Sequence, residues 1–159
     1  MKIKITSATG VGPTELAAFD NALVNAGVAN CNLIYLSSVL PPGSDVISSE
    51  HPIKHNAGWG DRLYVVLAQK RTSHRNEEVW AGIGWMQDPE TKKGLLVEHY
   101  GLNEDVVKDD ITNSLSGLSQ NRNMKFSPLQ MKVEGKKCIS LPVCALVIAV
   151  FESEAWKSK

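Results

Sequence analysis

The order of apolar and polar positions divides the chain into strand-like and helix-like stretches. Lys2 to Ala8 alternates, with Ile3 and Ile5 on one side, and predicts a short strand that Gly10, Gly12 and Pro13 break. Leu16, Phe19, Leu23 and Ala26 then recur at helical spacing. Pro13 suits a first helical turn, and Gly27 can take the left-handed conformation that ends a helix. Cys31 to Leu36 predicts a second strand, which stops at Ser37, Ser38 and the turn Pro41-Pro42-Gly43, and Ser44 to Gly60 predicts a long loop. Strands at Leu63 to Lys70, Glu78 to Gln87 and Gly94 to Tyr100, separated by the charged turns Arg71 to Glu77 and Asp88 to Lys93, predict an antiparallel meander. From Asn103 to Asn121 the apolar set Val107, Ile111, Leu115 and Leu118 predicts a second amphipathic helix, capped by Asn103 and helped by Glu104 and Asp105 at its positive end. Strands near Phe126 to Glu134 and Cys138 to Phe151 complete the chain; the second is apolar on both faces, so it should be buried on both sides, with a bulge expected at Pro142. This order argues for α+β layers in a single domain, not a doubly wound parallel sheet, and no internal repeat appears.

Composition narrows the classes of function. With 159 residues, 43% hydrophobic and 21% charged, the chain has material for one core. Seventeen basic against seventeen acidic residues leave no excess charge to attract a nucleic acid or an anionic membrane, and neither partner is expected. Cys31, Cys138 and Cys144 are too few for a disulfide framework and sit in apolar stretches, which fits a reducing compartment. The opening MKIKITSATG lacks the apolar run of a signal peptide, and no run of eighteen uncharged apolar residues occurs, so a soluble cytoplasmic protein is expected.

The stretch with chemical promise is Asn32 to Gly43, where two serines stand between an apolar strand and a rigid turn. A serine hydroxyl held against the preceding carbonyl can attack it and convert the amide into an ester, a shift that strain and desolvation favour. Ser38 would attack Ser37; elimination and hydrolysis would leave a pyruvoyl group on the new N-terminus, with Ser37 ending a short first chain. Pro41 and Pro42 restrict the backbone beyond the pair. Taken alone, a Ser-Ser pair after a strand is most often an ordinary turn.

Three separated segments, ATGVGPTELAAFDNAL, NLIYLSSVLPPG and GLLVEHYG, together resemble the pyruvoyl-dependent arginine decarboxylases, in order and spacing and over most of the chain. The resemblance implies a layered α/β/β/α sandwich with mainly antiparallel sheets, assembled as a homotrimer or a multiple of one, with active sites between subunits. It implies cleavage between Ser37 and Ser38 into chains 1–37 and 38–159, and a covalent pyruvoyl cofactor derived from Ser38. Some members of the family cleave Thr-Ser, and the Ser-Ser of this chain is compatible with processing. The activity implied is conversion of L-arginine to agmatine and carbon dioxide, through a Schiff base between the pyruvoyl ketone and the substrate amine. Glu98 matches the proton donor, and its apolar neighbours Leu95, Leu96 and Val97 would desolvate it. Asp20 is the candidate for the guanidinium, with Leu23 and Val39 beside substrate and Asn32 as an amide that could hydrogen-bond the scissile carbonyl or the substrate, or satisfy a turn. Blander roles are a surface carboxylate for Glu98, a solvated helix residue for Asp20 and core positions for Leu23 and Val39. A non-cleaving relative of the same fold and a pyruvoyl enzyme for another amino acid are the alternatives.

Other signals are weaker. Gly10-Val11-Gly12 imitates the start of a dinucleotide loop, but Glu15 stands where a third glycine is needed. His51 and His55 flank Pro52 with no third convergent ligand, so no metal is expected. Trp59, Trp80, Trp85 and Trp156 read as core or interface anchors, and the tail from Trp156 to Lys159 as frayed.

Overall fold

A computed structural model describes residues 1–122 and 124–156; the last three residues of the tail lie outside them. The elements run β1 (Lys2–Val11), α1 (Glu15–Ala26), β2 (Asn32–Tyr35), β3 (Val39–Leu40), β4 (Asp45–Ser48), β5 (Arg62–Thr72), β6 (Glu78–Gln87), β7 (Gly94–Gly101), α2 (Glu104–Gln120), β8 (Gln130–Lys137) and β9 (Val143–Glu154). They form a five-stranded sheet in the order β2-β5-β9-β1-β4 and a four-stranded sheet in the order β3-β7-β6-β8. The β1–β4 and β2–β5 pairs are parallel and the rest antiparallel.

Period-two burial explains the layers. Ile3, Ile5, Val147 and Ala149 of the first sheet meet Ala81, Ile83, Trp85 and Leu96 of the second between the sheets. The opposite faces carry Leu63, Val65, Leu146 and Ile148 toward Ala18, Ala22 and Ala26 of α1, and Leu95 and Val97 toward Val107, Ile111 and Leu115 of α2. Both helices therefore cover outer faces, and the fold is the expected α/β/β/α sandwich. β9 is buried on both sides because it lies inside the larger sheet, between β5 and β1.

Both helices begin at side-chain caps. Thr14 accepts the Ala17 N–H at 3.1 Å and Asn103 accepts the Val106 N–H at 3.1 Å, so each supplies an acceptor to an amide the helix itself leaves unpaired. Gly27 closes α1 at φ 77°. Gly10 and Gly12 serve packing: a Cβ at Gly10 would lie 2.1 Å from the Ala18 carbonyl oxygen, so the motif that imitates a phosphate loop lets α1 lie close on β1.

Four expectations are corrected. The loop after Pro42 contains β4, which adds to the edge beside β1 with Lys2 opposite Asp45. β5, β6 and β7 are not one meander, because β5 lies in the larger sheet and the chain crosses to the smaller one before β6. The eighth strand starts at Gln130, later than expected. Pro142 does not bulge a strand; β9 begins after it, and the irregularity falls at Phe151, which is skipped between the pairs Tyr64–Glu152 and Val65–Val150.

Candidate active site

Ser37 and Ser38 make the step from one sheet to the other. Before them, β2 is the edge of the larger sheet and the Leu36 N–H donates to Val65 O at 2.9 Å. After them, β3 is the edge of the smaller sheet, with Val39 opposite Leu95, and the Leu96 N–H donates to Ser38 O at 3.0 Å. Pinned on both sides, Ser38 has φ 47°, a left-handed conformation that a serine adopts at a cost of about 1–3 kcal/mol.

The Ser38 hydroxyl donates to Glu98 Oε2 at 2.7 Å. Strand alternation puts Glu98 there: Leu95 and Val97 face α2, Leu96 faces the space between the sheets, and Glu98 follows Leu96 on that side where the edge opens. Leu95, Leu96 and Val97 are buried, but Glu98 itself is exposed, so its apolar neighbours in sequence do not desolvate it in this chain. Their side chains are committed to the two cores on either side of β7.

A cavity of about 580 Å³ opens beside this pair. Ser37, Ser38, Val39 and Leu95 to His99 form one wall; the other is the C-terminal half of α2, with Asn113, Ser114 and Arg122 among its residues. His99 Nε2 and Ser114 Oγ are 2.8 Å apart and join β7 to α2 at the cavity. Asn113, Ser114 and, just past the helix, Arg122 were not singled out by sequence, although Ser114 and Arg122 stand four residues either side of Leu118, a member of the apolar set, and Asn113, Gly117 and Asn121 recur at the same spacing.

The remaining candidates lie elsewhere in the chain. Asp20 is exposed and Leu23 half-buried on α1, across the larger sheet from α2, and neither lines the cavity. Asn32 binds the loop that precedes β5: its Nδ2 donates to Gly60 O at 2.6 Å and its backbone N–H to Asp61 O at 2.8 Å. It therefore satisfies a turn in its own chain and reaches neither serine. Val39 is in the cavity wall and 58% exposed, not a core residue.

Burial pushes the Cys144 thiol up to about 12 and, with Asp61 nearby, raises that of Cys31. His55 accepts the Ala57 N–H at Nδ1 and donates from Nε2 to Gly27 O, so both ring nitrogens serve the loop. Among the described residues no group of three His, Cys, Asp or Glu is placed to hold a metal ion, and no helix is long and apolar enough to cross a membrane. Trp85 is in the core, Trp80 packs under α2, Trp156 lies beneath Arg62, and Trp59 is 86% exposed.

The two-sheet sandwich and its edge cavity define a small α+β protein whose reactive candidates sit where the chain changes sheets. Residues 2–154 match the family described as Pyruvoyl-dependent arginine decarboxylase (PvlArgDC), and the chain belongs to that family. Over 104 residues it is 35% identical to a pyruvoyl-dependent arginine decarboxylase of Picrophilus torridus, covering 65% of this chain and 57% of the relative. Over 105 residues it is 34% identical to the protein of that name from Methanothermobacter thermautotrophicus, covering 66% and 65%. The match thus spans less than two thirds of either relative's length. A solved pyruvoyl-dependent histidine decarboxylase at pH 8 overlaps 66% of this chain and 55% of its own at 13% identity, with a TM-score of 0.45, a likeness too low to bear on the reaction.

Proposed function

We propose that this chain decarboxylates L-arginine to agmatine and carbon dioxide with a pyruvoyl group that forms from Ser38 on cleavage of the Ser37–Ser38 bond. The carrying observation is the left-handed Ser38 with its hydroxyl on Glu98 at 2.7 Å. In maturation Glu98 takes the hydroxyl proton as Ser38 Oγ attacks the Ser37 carbonyl carbon, the amide C–N bond breaks, and the Ser38 nitrogen gains a proton. Loss of the Ser38 α-proton expels the Ser37 carboxylate; water then enters and ammonia leaves. The products are chains 1–37 and 38–159.

The surroundings of Ser38 fit such a group, since the pairing of Val39 with Leu95 fixes the new chain start beside an open cavity and a carboxylate. Such a group, held by the Ser38–Val39 segment against β7, would supply a ketone for the substrate amine and a sink for the electrons released with carbon dioxide. Glu98 holds the proton that replaces the lost carboxylate on the α-carbon, and Val39 lines the space the substrate enters.

Glu98 is the one carboxylate among the described residues that line the cavity, and its hydrogen bond to Ser38 commits it to the reacting end, so a second acid must read the guanidinium. Asp20 is that acid, with Leu23 beside it. Both lie on the outer face of the larger sheet, so they serve the Ser38 of a neighbouring copy, whereas Asn32 stays with the turn it holds through Gly60 and Asp61. The assembly is a homotrimer or a multiple of one. Exposed Tyr35, Val39 and Tyr100 support a subunit contact at this edge. The balanced charge supports an enzyme that binds neither nucleic acid nor membrane, and the three free cysteines support a reducing, cytoplasmic setting.

Denaturing intact-mass spectrometry of the wild type and Ser38→Ala is the test. Two wild-type fragments divided after Ser37, the larger with a pyruvoyl mass, and an uncut variant are expected; an uncut wild type refutes the reading. Release of carbon dioxide from arginine, and not from lysine, ornithine or histidine, then tests the substrate.

A further inference from the structure

The charge pattern of the cavity has a second member. Among the described residues that line it, Glu98 and Arg122 carry the permanent charges, of opposite sign and from different parts of the chain. Arg122 follows Asn121, the C-cap of α2, and its Nη1 donates to Leu118 O at 3.0 Å. A cation there is favoured by the negative end of the helix dipole, and the bond to Leu118 holds the guanidinium at the rim. Among the described residues Arg122 has no carboxylate within ion-pair distance, and Leu118 O is the one protein acceptor its side chain meets. Its other N–H donors are left for what enters the cavity.

Resting on the proposed reaction, we infer that Arg122 distinguishes substrate from product by charge. Arginine arrives with an ammonium, a guanidinium and a carboxylate; agmatine leaves with a hydrogen where the carboxylate was, so the bound molecule passes from a single to a double net positive charge. Arg122 attracts the carboxylate of the first and repels the second. A cation clamped on the reacting carboxylate would oppose its loss, but Arg122 is exposed at the rim. Solvent screens its pull, which acts on entry and exit. It is a specificity residue, and the proton transfer remains with Glu98.

The test compares the KM for arginine with the inhibition constant of agmatine in mature wild type, Arg122→Gln and Arg122→Lys. Loss of this solvent-screened attraction should raise the KM of Arg122→Gln about threefold. Its agmatine constant should move the other way, falling about threefold as the repulsion is removed. Arg122→Lys keeps the charge and should stay near wild type. A merely structural loss would weaken both ligands together, so parallel shifts, or none, overturn the inference. Wild type supplies a measurement that does not depend on a variant folding: added salt weakens the hold of Asp20 on the guanidinium of both ligands, but screening Arg122 as well should raise the ratio of KM to the agmatine constant, and a ratio that salt leaves unmoved or lowers also overturns it. If wild type releases carbon dioxide from arginine but the two constants do not diverge, this inference fails alone. If wild type does not act on arginine, the parent reading fails and takes this one with it.

Discussion

Ser38 combines a positive φ with a hydrogen bond from its hydroxyl to a carboxylate, and each would have a use in the proposed cleavage. Strain raises the energy of the intact backbone, and Glu98 is placed to accept the proton that the attack releases. In the proposed function Glu98 therefore has work before turnover as well as during it. Glu98→Gln should slow maturation by about a hundredfold or more, read as the fraction of cut chain over time by intact mass, while the melting temperature stays near wild type. Cleavage at the wild-type rate would leave Glu98 with turnover alone. The cysteines give a check on the core at the same scale. With its thiol pushed up to about 12 by burial, Cys144 holds almost no thiolate at neutral pH. Alkylation of native protein should spare Cys144 and buried Cys138, reach half-buried Cys31 slowly, and modify all of them after denaturation. Rapid native alkylation of Cys144 would mean that β9 opens.

Among the elements, those with caps and long periodic faces were legible in the sequence. Asn103 and the Val107-Ile111-Leu115 stripe mark α2 in the sequence, and the structure uses them that way. Removing the cap by Asn103→Ala should cost about 1 kcal/mol, measured by urea unfolding. Gly84 shows what periodicity hides: a Cβ there would come within 2.2 Å of Ile111, so α2 rests on bare backbone of β6. Gly84→Ala should cost about 1–3 kcal/mol and loosen the α2 wall of the cavity. The misreadings have a common cause. Whether successive strands share a sheet depends on long-range pairing, so the turn between β5 and β6 looks like a hairpin although it changes layers. Four residues, Asp45–Ser48, are too short a run to signal a strand without the neighbouring β1 that receives them. The site divides along the same line. The Ser-Ser pair and Glu98 can be picked out from their motifs, but the bond between them, and the α2 wall with Arg122, exist only once the chain has crossed sheets.

For the whole molecule, the separation of Asp20 from Ser38 decides how many copies make a site. Asp20 is on α1, on the outer face of the sheet that β2 ends, and the cavity beside Ser38 is walled by α2 on the outer face of the other sheet. On the proposed function a single copy offers Ser38 without the second acid, and a closed cyclic assembly would supply it by setting one copy's α1 against the next copy's edge. Two crippled chains can then rescue each other. On the proposed function Ser38→Ala should form no pyruvoyl group but present an intact Asp20, and Asp20→Asn should mature but read the guanidinium poorly. Unfolded together in equal amounts and refolded, random assembly would place a maturing Ser38 against an intact Asp20 at about one interface in four. Activity at arginine concentrations well below the KM of Asp20→Asn should rise accordingly above that of either variant refolded alone. A site built within one chain predicts no such recovery, because neither chain carries both residues. Dilution of the mixed sample until the assembly dissociates should abolish the gain, and reconcentration should restore it, which separates shared sites from a simple improvement in refolding.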